Sequence, residues 1–315
     1  MNVLIYTREH DAEEFKGYLT QEFPDITFIT TREEAAAADL IEKVEVLVTL
    51  RFSDSLLGKA KNLKWIHTII TGTNYIEELP SFQARKDLIL TSTRGIHGPQ
   101  MSELAILFMI ALNRKLPDFV RNQDRRVWTR WPTALLYEKT VAILGVGVIG
   151  ESLARKCKAF DMTVIGVDPV QRKVDAVDRF YGMERLHQAM AEADYVVDVA
   201  PSTPENQKMI NAAALARMKP TAFFLNIGRG ETVDEEALLR VLKERKIAGA
   251  ALDVFWQEPL PPEHPFWGLN NLILTPHVGG VADIYLKQAV GVFQENLRRY
   301  VQGERRNLVN FIERN

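Results

Sequence analysis

The chain has 315 residues, of which 46% are hydrophobic and 25% charged, and its formal net charge is −2. A single core seldom grows to this length, so we expect two domains, and the composition is typical of a packed globular protein. The small net charge argues against electrostatic binding to nucleic acid or to an anionic membrane. We therefore expect the partner to be a small molecule or a second copy of the chain.

Three features exclude further classes of protein. The lone cysteine, Cys157, cannot form an intrachain disulfide framework or a cysteine-rich metal site, and we interpret it as a small buried hydrophobe. The apolar run at the N-terminus meets charge at once and lacks the basic segment of a signal peptide. The longest apolar run, residues 104–112, has nine residues, whereas a membrane helix needs roughly 20. We therefore expect a soluble, cytoplasmic protein without a metal site.

The first series of predicted elements alternates short β-rich runs with helical stretches. Its strands are predicted at residues 3–6, 27–30, 44–48, 65–70 and 89–90, and a helix follows the first strand to about residue 23. A long buried helix is predicted at residues 101–116. We interpret the polar stretch 118–132, which carries Trp128 and Trp131, as the passage between two domains. The tryptophans fit a ligand pocket and an interface equally well.

A second alternating series begins near Thr140. Its strands are predicted at residues 141–144, 164–167, 195–199, 222–226, 249–252 and 272–274. A helix is predicted at residues 234–245, and a last amphipathic helix at 284–301 precedes a tail that could return to the first domain. Strands separated by helical crossovers indicate parallel sheets with helices on both faces.

A glycine-rich turn follows the first strand of the second series and opens a helical run. It consists of Gly145, Val146, Gly147, Val148, Ile149 and Gly150. Glycines at this spacing allow a tight turn, a close approach of the backbone to a pyrophosphate, and close packing of helix on strand. The helix N-terminus then offers N–H groups to phosphates. A lone motif of this kind also serves plain folding, so its context decides.

That context is an acidic residue at the end of the next strand. Asp168 lies 18 residues after Gly150, where its carboxylate can accept hydrogen bonds from the ribose hydroxyls of adenosine. The same charge repels a 2′-phosphate, so the sequence favours NAD over NADP. Arg172 and Lys173, just downstream, weaken that preference.

Three further segments follow predicted strands of the second series, where open α/β sheets place their ligands. They are residues 226–230, 253–259 and 275–280, and they supply Arg229, Glu258 and His277. Together with the glycine turn, these segments resemble the D-isomer-specific 2-hydroxyacid dehydrogenase family, and the resemblance covers nearly the whole chain. It implies two Rossmann-like domains of doubly wound parallel sheets with a cleft between them. The discontinuous substrate domain would contain residues 1–98 and 285–315, and the NAD-binding domain residues 99–284.

The resemblance also implies roles for the catalytic residues. Arg229 matches the arginine that binds the substrate carboxylate and polarises its carbonyl, and His277 matches the general acid/base. Glu258 matches the carboxylate that pairs with the histidine and keeps a proton available for carbonyl reduction. Formate dehydrogenases of the superfamily have glutamine at this position, which disfavours formate oxidation here. His97, also in a glycine-rich setting, is a weaker candidate for the proton carrier.

Binding residues are implied in the same way. In the glycine turn, the cofactor would contact Gly145, Gly147, Val148, Ile149 and Gly150. Its other contacts would be Asp168, Pro201, Thr203, Ile227, Asp253 and Gly279. Asp253 would lie near the nicotinamide carboxamide, with a structural role at the strand end as its alternative. Substrate would be bound by Arg229 and by the loop of Thr71, Gly72 and Thr73. That loop departs from the Gly-Ala-Gly-Val core common in relatives, which puts the side-chain preference for substrate in doubt.

The resemblance implies an NAD-dependent oxidoreductase acting on CH–OH donors. It would interconvert a small 2-keto acid, such as glyoxylate or hydroxypyruvate, and a D-2-hydroxy acid, as a homodimer. Phosphoglycerate and phosphite dehydrogenases on the same scaffold are alternatives, since the same three side chains would serve them. A non-catalytic NAD-sensing protein, like the corepressors built on this scaffold, is a second class. Turnover of any 2-keto acid would distinguish an enzyme from such a binding protein.

Overall fold

The computed structural model describes residues 1–313, apart from the side chains of residues 9 and 10. Its contacts divide the chain into two compact units, residues 1–96 with 282–315 and residues 97–281. Residues 314 and 315, the end of the predicted tail, lie outside the described part. The stretch 118–132, which we interpreted as the passage between domains, instead lies inside the second unit.

The first unit is built on a five-stranded sheet. Its elements up to residue 96 are β1 (Asn2–Tyr6), α1 (Glu9–Thr20), β2 (Thr27–Thr31), α2 (Glu34–Leu40), β3 (Val46–Thr49), α3 (Asp54–Lys59), β4 (Trp65–Thr68), α4 (Asn74–Glu77), α5 (Pro80–Ala84) and β5 (Ile89–Ser92). The strand order is β2-β1-β3-β4-β5, and every pair is parallel. The alternation of strands and helices in the sequence is thus confirmed, although β4 ends two residues earlier than predicted.

The second unit carries a seven-stranded sheet. Its elements are α6 (Gly98–Arg114), α7 (Leu116–Asp124), β6 (Thr140–Leu144), α8 (Val148–Ala159), β7 (Thr163–Val167), β8 (Arg179–Tyr181), α9 (Leu186–Glu192), β9 (Tyr195–Asp198), α10 (Ala212–Leu215), β10 (Phe223–Asn226), α11 (Glu235–Lys243), β11 (Gly249–Leu252) and β12 (Leu272–Leu274). The order is β12-β11-β10-β9-β6-β7-β8, again with parallel pairs. The predicted helix 101–116 is wrong at its end, because Lys115 takes a left-handed conformation (φ 52°) that separates α6 from α7.

The chain then returns to the first unit through α12 (Tyr285–Val301). Phe293 of this helix stacks on Trp65 of β4, with 5.1 Å between the ring centroids. The tail completes the edge of the sheet, because the Ile312 N–H donates to the Leu90 carbonyl at 2.9 Å. These contacts explain why a helix distant in sequence belongs to the first unit.

Apolar clusters cover both faces of each sheet. In the first unit, Phe15 and Phe293 belong to one cluster, and Leu57 and Phe82 belong to another. The two clusters of the second unit are larger, and one of them includes Cys157 of α8. Burial raises the pKa of the Cys157 thiol to about 12, which confirms its interpretation as a small buried hydrophobe. No helix in the described residues combines the length and apolar character needed to cross a membrane.

Candidate active site

The seven-stranded sheet gathers polar residues at the carboxyl ends of its strands. Because all its strands are parallel, these ends open at one edge. The glycine turn follows β6, Asp168 follows β7, Arg229 follows β10, Asp253 follows β11 and His277 follows β12. The strand order reverses between β6 and β9, and open α/β sheets bind ligands outside the carboxyl ends at such a point.

The glycine turn has the shape that a dinucleotide requires. Gly145 has φ 92°, and a Cβ there would lie 3.0 Å from the backbone of Ala200. A Cβ on Gly150 would lie 2.2 Å from the Gly145 carbonyl oxygen, so no side chain fits at either position. Gly147 faces open space and begins α8 without a side-chain cap, which leaves the first N–H groups of this helix for phosphate oxygens.

Asp168 is held beside this turn. One carboxylate oxygen accepts from the Val146 N–H at 2.8 Å, and the other accepts from the Val170 N–H at 2.9 Å. Each oxygen has a further lone pair for a ribose hydroxyl. Arg172 donates to the Val146 carbonyl at 2.7 Å and pairs with Glu151, so its guanidinium is engaged by the protein. The residues present therefore fit a dinucleotide with free ribose hydroxyls.

The loop after β9 is stiffened from within. Thr203 caps the short 3-10 helix Pro204–Asn206, and its N–H donates to Asn206 Oδ1 at 2.8 Å. Asn206 Nδ2 in turn donates to the Pro201 carbonyl at 2.6 Å. Ile227, also predicted to contact the cofactor, has its side chain buried in the core, which leaves only its backbone for such a contact.

Arg229 lies on a tightly built loop. Asn226 Nδ2 donates to the Arg229 carbonyl at 2.9 Å, and Asn226 Oδ1 accepts from the Gly228 N–H at 3.0 Å. A Cβ on Gly230 would lie 2.1 Å from the Phe255 carbonyl carbon, so the loop is pressed against its neighbour. The guanidinium donates to the Gly228 carbonyl at 2.8 Å, and no carboxylate of the described residues pairs with it. This cation is therefore available for an anionic ligand.

His277 and Glu258 form a short hydrogen-bonded pair. Nδ1 of His277 lies 2.6 Å from one oxygen of Glu258, whose other oxygen accepts from the Phe255 N–H at 3.0 Å. The contact of Nδ1 with the carboxylate leaves Nε2 as the ring nitrogen for proton exchange. The His277 side chain is 48% exposed in accessible area, so a ligand can reach it.

Asp253 supports the segment that carries His277. Its buried carboxylate accepts hydrogen bonds from the Val278 N–H at 3.0 Å, the Gly279 N–H at 2.9 Å and the Thr275 hydroxyl. A Cβ on Gly279 would lie 2.9 Å from this carboxylate, so the segment needs glycine there. These contacts correspond to the structural role that was the alternative for Asp253.

His97 lies on the same unit and belongs to this neighbourhood. It precedes α6, and a Cβ on Gly280 would lie 3.2 Å from its ring. Burial lowers the pKa of His97, and the positive charge of Arg229 lowers it further. The neutral imidazole is thereby favoured, which suits a hydrogen-bonding residue better than a proton donor. The described residues contain no cluster of three or more His, Cys, Asp or Glu side chains that could hold a metal ion.

The predicted substrate loop is in the first unit, after β4. Gly72 is exposed and faces open space, whereas Thr73 is buried and its hydroxyl donates to Glu77 at 2.5 Å. The neighbouring Tyr75 hydroxyl donates to the Leu50 carbonyl at 2.5 Å. Of the side chains by which this loop departs from the Gly-Ala-Gly-Val core, that of Thr73 therefore points into the loop and forms a hydrogen bond there.

Comparison with known proteins identifies the family of this chain. A family model for the NAD binding domain of D-isomer specific 2-hydroxyacid dehydrogenases matches residues 106–279, more than half of the chain. The chain belongs to the D-isomer specific 2-hydroxyacid dehydrogenase family. The resemblance inferred from the four sequence segments and the expected fold class, two α/β units with parallel sheets, are thus confirmed.

Relatives in this family differ in the reactions that their names give. The solved structure of a family protein from Aeromonas salmonicida covers 99% of this chain and 98% of its own, with a TM-score of 0.89 and 32% identity. A glyoxylate reductase from Pyrococcus furiosus is 31% identical and covers 91% of this chain and 88% of its own length. D-3-phosphoglycerate dehydrogenase from Methanocaldococcus jannaschii is also 31% identical over 86% of this chain, which spans about half (53%) of that protein.

Cofactors also differ within the family. An NADPH-dependent glyoxylate/hydroxypyruvate reductase from Sinorhizobium meliloti, solved with NADP and sulfate, has a TM-score of 0.83 and 25% identity. It covers 99% of this chain and 98% of its own. The family model thus describes an NAD binding domain, and solved structures of the family contain NADP or, in a protein from Lactobacillus delbrueckii ssp. bulgaricus, NAD.

Proposed function

We propose that this protein reversibly reduces a small 2-oxo acid to the D-2-hydroxy acid by hydride transfer from NADH. The observation that carries the proposal is the short His277–Glu258 pair, found at the same sheet edge as Arg229, which pairs with no carboxylate of the described residues. A 2-oxo acid has one carboxylate for the arginine and one carbonyl for the proton donor.

The nicotinamide, when bound, supplies or accepts the hydride. Arg229 binds the substrate carboxylate and polarises the adjacent carbonyl, since its guanidinium fork matches a planar carboxylate and stays charged at any working pH. His277 donates a proton from Nε2 to the carbonyl oxygen and recovers it in the reverse direction. Glu258 holds the ring through Nδ1 and stabilises the imidazolium. We assign backbone binding of the carboxylate to the loop of Thr71, Gly72 and Thr73.

We assign NAD, in preference to NADP, to the glycine turn. The carboxylate of Asp168 beside the turn suits ribose hydroxyls and repels a 2′-phosphate. Arg172, a cation in the segment after β7, is already engaged by Glu151 and by the Val146 carbonyl. The proposed cofactor contacts are completed by Pro201, Thr203, Ile227, Asp253 and Gly279.

We further propose that the protein is a homodimer. The second unit exposes apolar side chains on α6, α7 and the segment after it, and single exposed residues are ordinary whereas a cluster indicates an interface. The exposed members include Leu107, Ile110, Val120, Trp128 and Leu135. Sedimentation at micromolar concentration is expected to give twice the chain mass, and a monomer would contradict this assignment.

Arg229→Ala tests the proposed function. We expect kcat/KM for glyoxylate or hydroxypyruvate to fall by roughly three orders of magnitude, as on loss of a charged group that stabilises a transition state. Arg217→Ala, at an exposed arginine of the same unit, is the control and should retain activity. Turnover like wild type in Arg229→Ala would remove the basis of the assignment.

A further inference from the structure

A buried carboxyl group lies behind the loop that carries Arg229. Asp198 is the last residue of β9, between β6 and β10 in the sheet, and it has no exposed surface. Oδ1 accepts from the Ala200 N–H at 3.0 Å, and Oδ2 lies 2.5 Å from the Thr232 hydroxyl oxygen. An acidic side chain in such a place is costly to bury unless it is well paired or uncharged.

Thr232 links this carboxyl group to the backbone of Arg229. The hydroxyl oxygen of Thr232, which is also fully buried, lies 2.7 Å from the Arg229 carbonyl oxygen. The same carbonyl accepts from Asn226 Nδ2 at 2.9 Å. Arg229 is thus held by two polar side chains, of which one depends on Asp198.

The number of hydrogens decides how this link works. The Thr232 hydroxyl has a single hydrogen but touches two acceptor oxygens, those of Asp198 and Arg229. If Asp198 is ionised, one of these oxygen pairs is in close contact without a hydrogen between them. If Asp198 Oδ2 carries a proton, that proton is donated to Thr232, and the Thr232 hydrogen is donated to the Arg229 carbonyl. Both contacts are then hydrogen bonds.

Burial extends the protonated form of Asp198 up to about pH 6. Burial raises the pKa of this carboxyl group to about 6, and the hydrogen bonds from Thr232 and Ala200 oppose the rise. The neighbouring strands β6 and β10 carry no ionisable side chain. Arg229 and Glu231 are the charged residues of the turn that meets Asp198, and neither is a cause of the shift.

We propose that Asp198 is a positioning residue for the reaction, which as a neutral acid directs the Thr232 hydroxyl onto the Arg229 carbonyl. The inference rests on the proposed role of Arg229. Asp198 touches neither substrate nor cofactor in this account; it fixes the backbone from which the guanidinium reaches the carboxylate. The link is complete while the acid is protonated and loses one hydrogen bond when it ionises.

Two pairs of variants test the link. Thr232→Val keeps the volume and Asp198→Leu keeps the branched shape, but both remove the donors, whereas Asp198→Asn and Thr232→Ser keep a donor at each position. We expect Leu and Val to raise KM for the 2-oxo acid about tenfold, the scale of one lost hydrogen bond. Asn and Ser should recover most of the affinity. The Kd for NADH, measured by fluorescence, should be the same in all four folded variants.

A pH profile separates this role from a merely structural one. Asparagine mimics the neutral acid at every pH, so the ratio of kcat/KM of wild type to that of Asp198→Asn cancels every pH dependence that the two proteins share. We expect this ratio to be constant well below pH 6, to fall through about pH 6 and to be severalfold lower by about pH 8, because only wild type loses the proton.

Either of two results would overturn the inference: a ratio that stays flat across this pH range, or equal KM values for Asp198→Leu and Asp198→Asn. Arg229→Ala, measured alongside, distinguishes the failure of this inference from failure of the proposed function. If that variant is inactive while the Asp198 ratio is flat, only the positioning role is wrong. If it is as active as wild type, the proposed function itself is wrong.

Discussion

The carboxyl-end edges of the two sheets hold their polar groups in different ways. At the edge of the seven-stranded sheet, Asp168, Asp198 and Asp253 each make at least two hydrogen bonds with the protein. They fix the glycine turn, the Arg229 loop and the His277 segment. At the edge of the five-stranded sheet, the loop after β4 has threonine and asparagine in place of aspartate, and the Thr73 hydroxyl donates to Glu77 of α4.

This difference separates chemistry from specificity. Groups that move a hydride or a proton need supports that fix them to a fraction of an ångström. A loop that closes on its own helix can change its side chains without disturbing those groups. We therefore expect changes at the first edge to alter the rate with every substrate, and changes at the second to alter which substrate is preferred.

The largest effect is expected for His277→Gln, which removes the proposed proton donor at the edge of the seven-stranded sheet. Loss of a general acid is expected to lower kcat by roughly 10²- to 10⁴-fold with each 2-oxo acid, while the Kd for NADH stays unchanged. Stopped-flow and equilibrium fluorescence measure the two quantities. His187→Gln, at an exposed histidine on α9, is the matched control. A kcat within twofold of wild type would show that another group carries the proton.

A smaller effect is expected for Asp168→Ser, at the cofactor end of the same edge. Loss of its carboxylate should raise KM for NADH about tenfold, the scale of one charge-assisted hydrogen bond, and should lower KM for NADPH. Steady-state kinetics with both cofactors measures the change in preference. Asp175→Ser, at an exposed aspartate nearby, is the control. An unchanged ratio of the two KM values would contradict the assignment of NAD.

Much of the first edge could be predicted from the sequence. The glycine turn, Asp168, Arg229 and His277 each follow an apolar strand, and the parallel sheet brings strand ends to one edge. The supporting network could not be predicted in this way. Asp198 lies at the end of an apolar run, and nothing in the surrounding sequence distinguishes it from other residues of predicted strands. Its partner Thr232 is 34 residues away. Only the register of β9 beside β10 brings them together.

Local departures from the sequence-based elements have equally local causes. The predicted helix 101–116 stops at Arg114 because Lys115, a residue without a glycine's freedom, adopts φ 52°. Strand β8, Arg179–Tyr181, was missed because it has three residues at the sheet edge and only Tyr181 is buried. Trp131 stacks on Phe119 of α7, a contact that a pattern of spaced aromatic residues does not reveal.

The smallest effect is expected for Thr73→Val, at the edge of the five-stranded sheet. The variant removes the hydroxyl group that donates a hydrogen bond to Glu77, at nearly constant side-chain volume. The loop should then be held less firmly, while hydride and proton transfer are unchanged. We expect the preference among glyoxylate, hydroxypyruvate and pyruvate to change by about two- to fivefold in kcat/KM, the scale of a single exchanged hydrogen bond. Equal changes with all three substrates would contradict the division between the two edges.

Transfer of hydride between a nicotinamide and a 2-oxo acid is the activity that we propose for this protein. The most direct test follows the loss of NADH absorbance with purified protein and a panel of 2-oxo acids that includes a phosphorylated one. We expect saturable turnover with at least one unphosphorylated 2-oxo acid, faster with NADH than with NADPH, and a D-configured product. No turnover with any member of the panel, by protein that binds NADH, would contradict it.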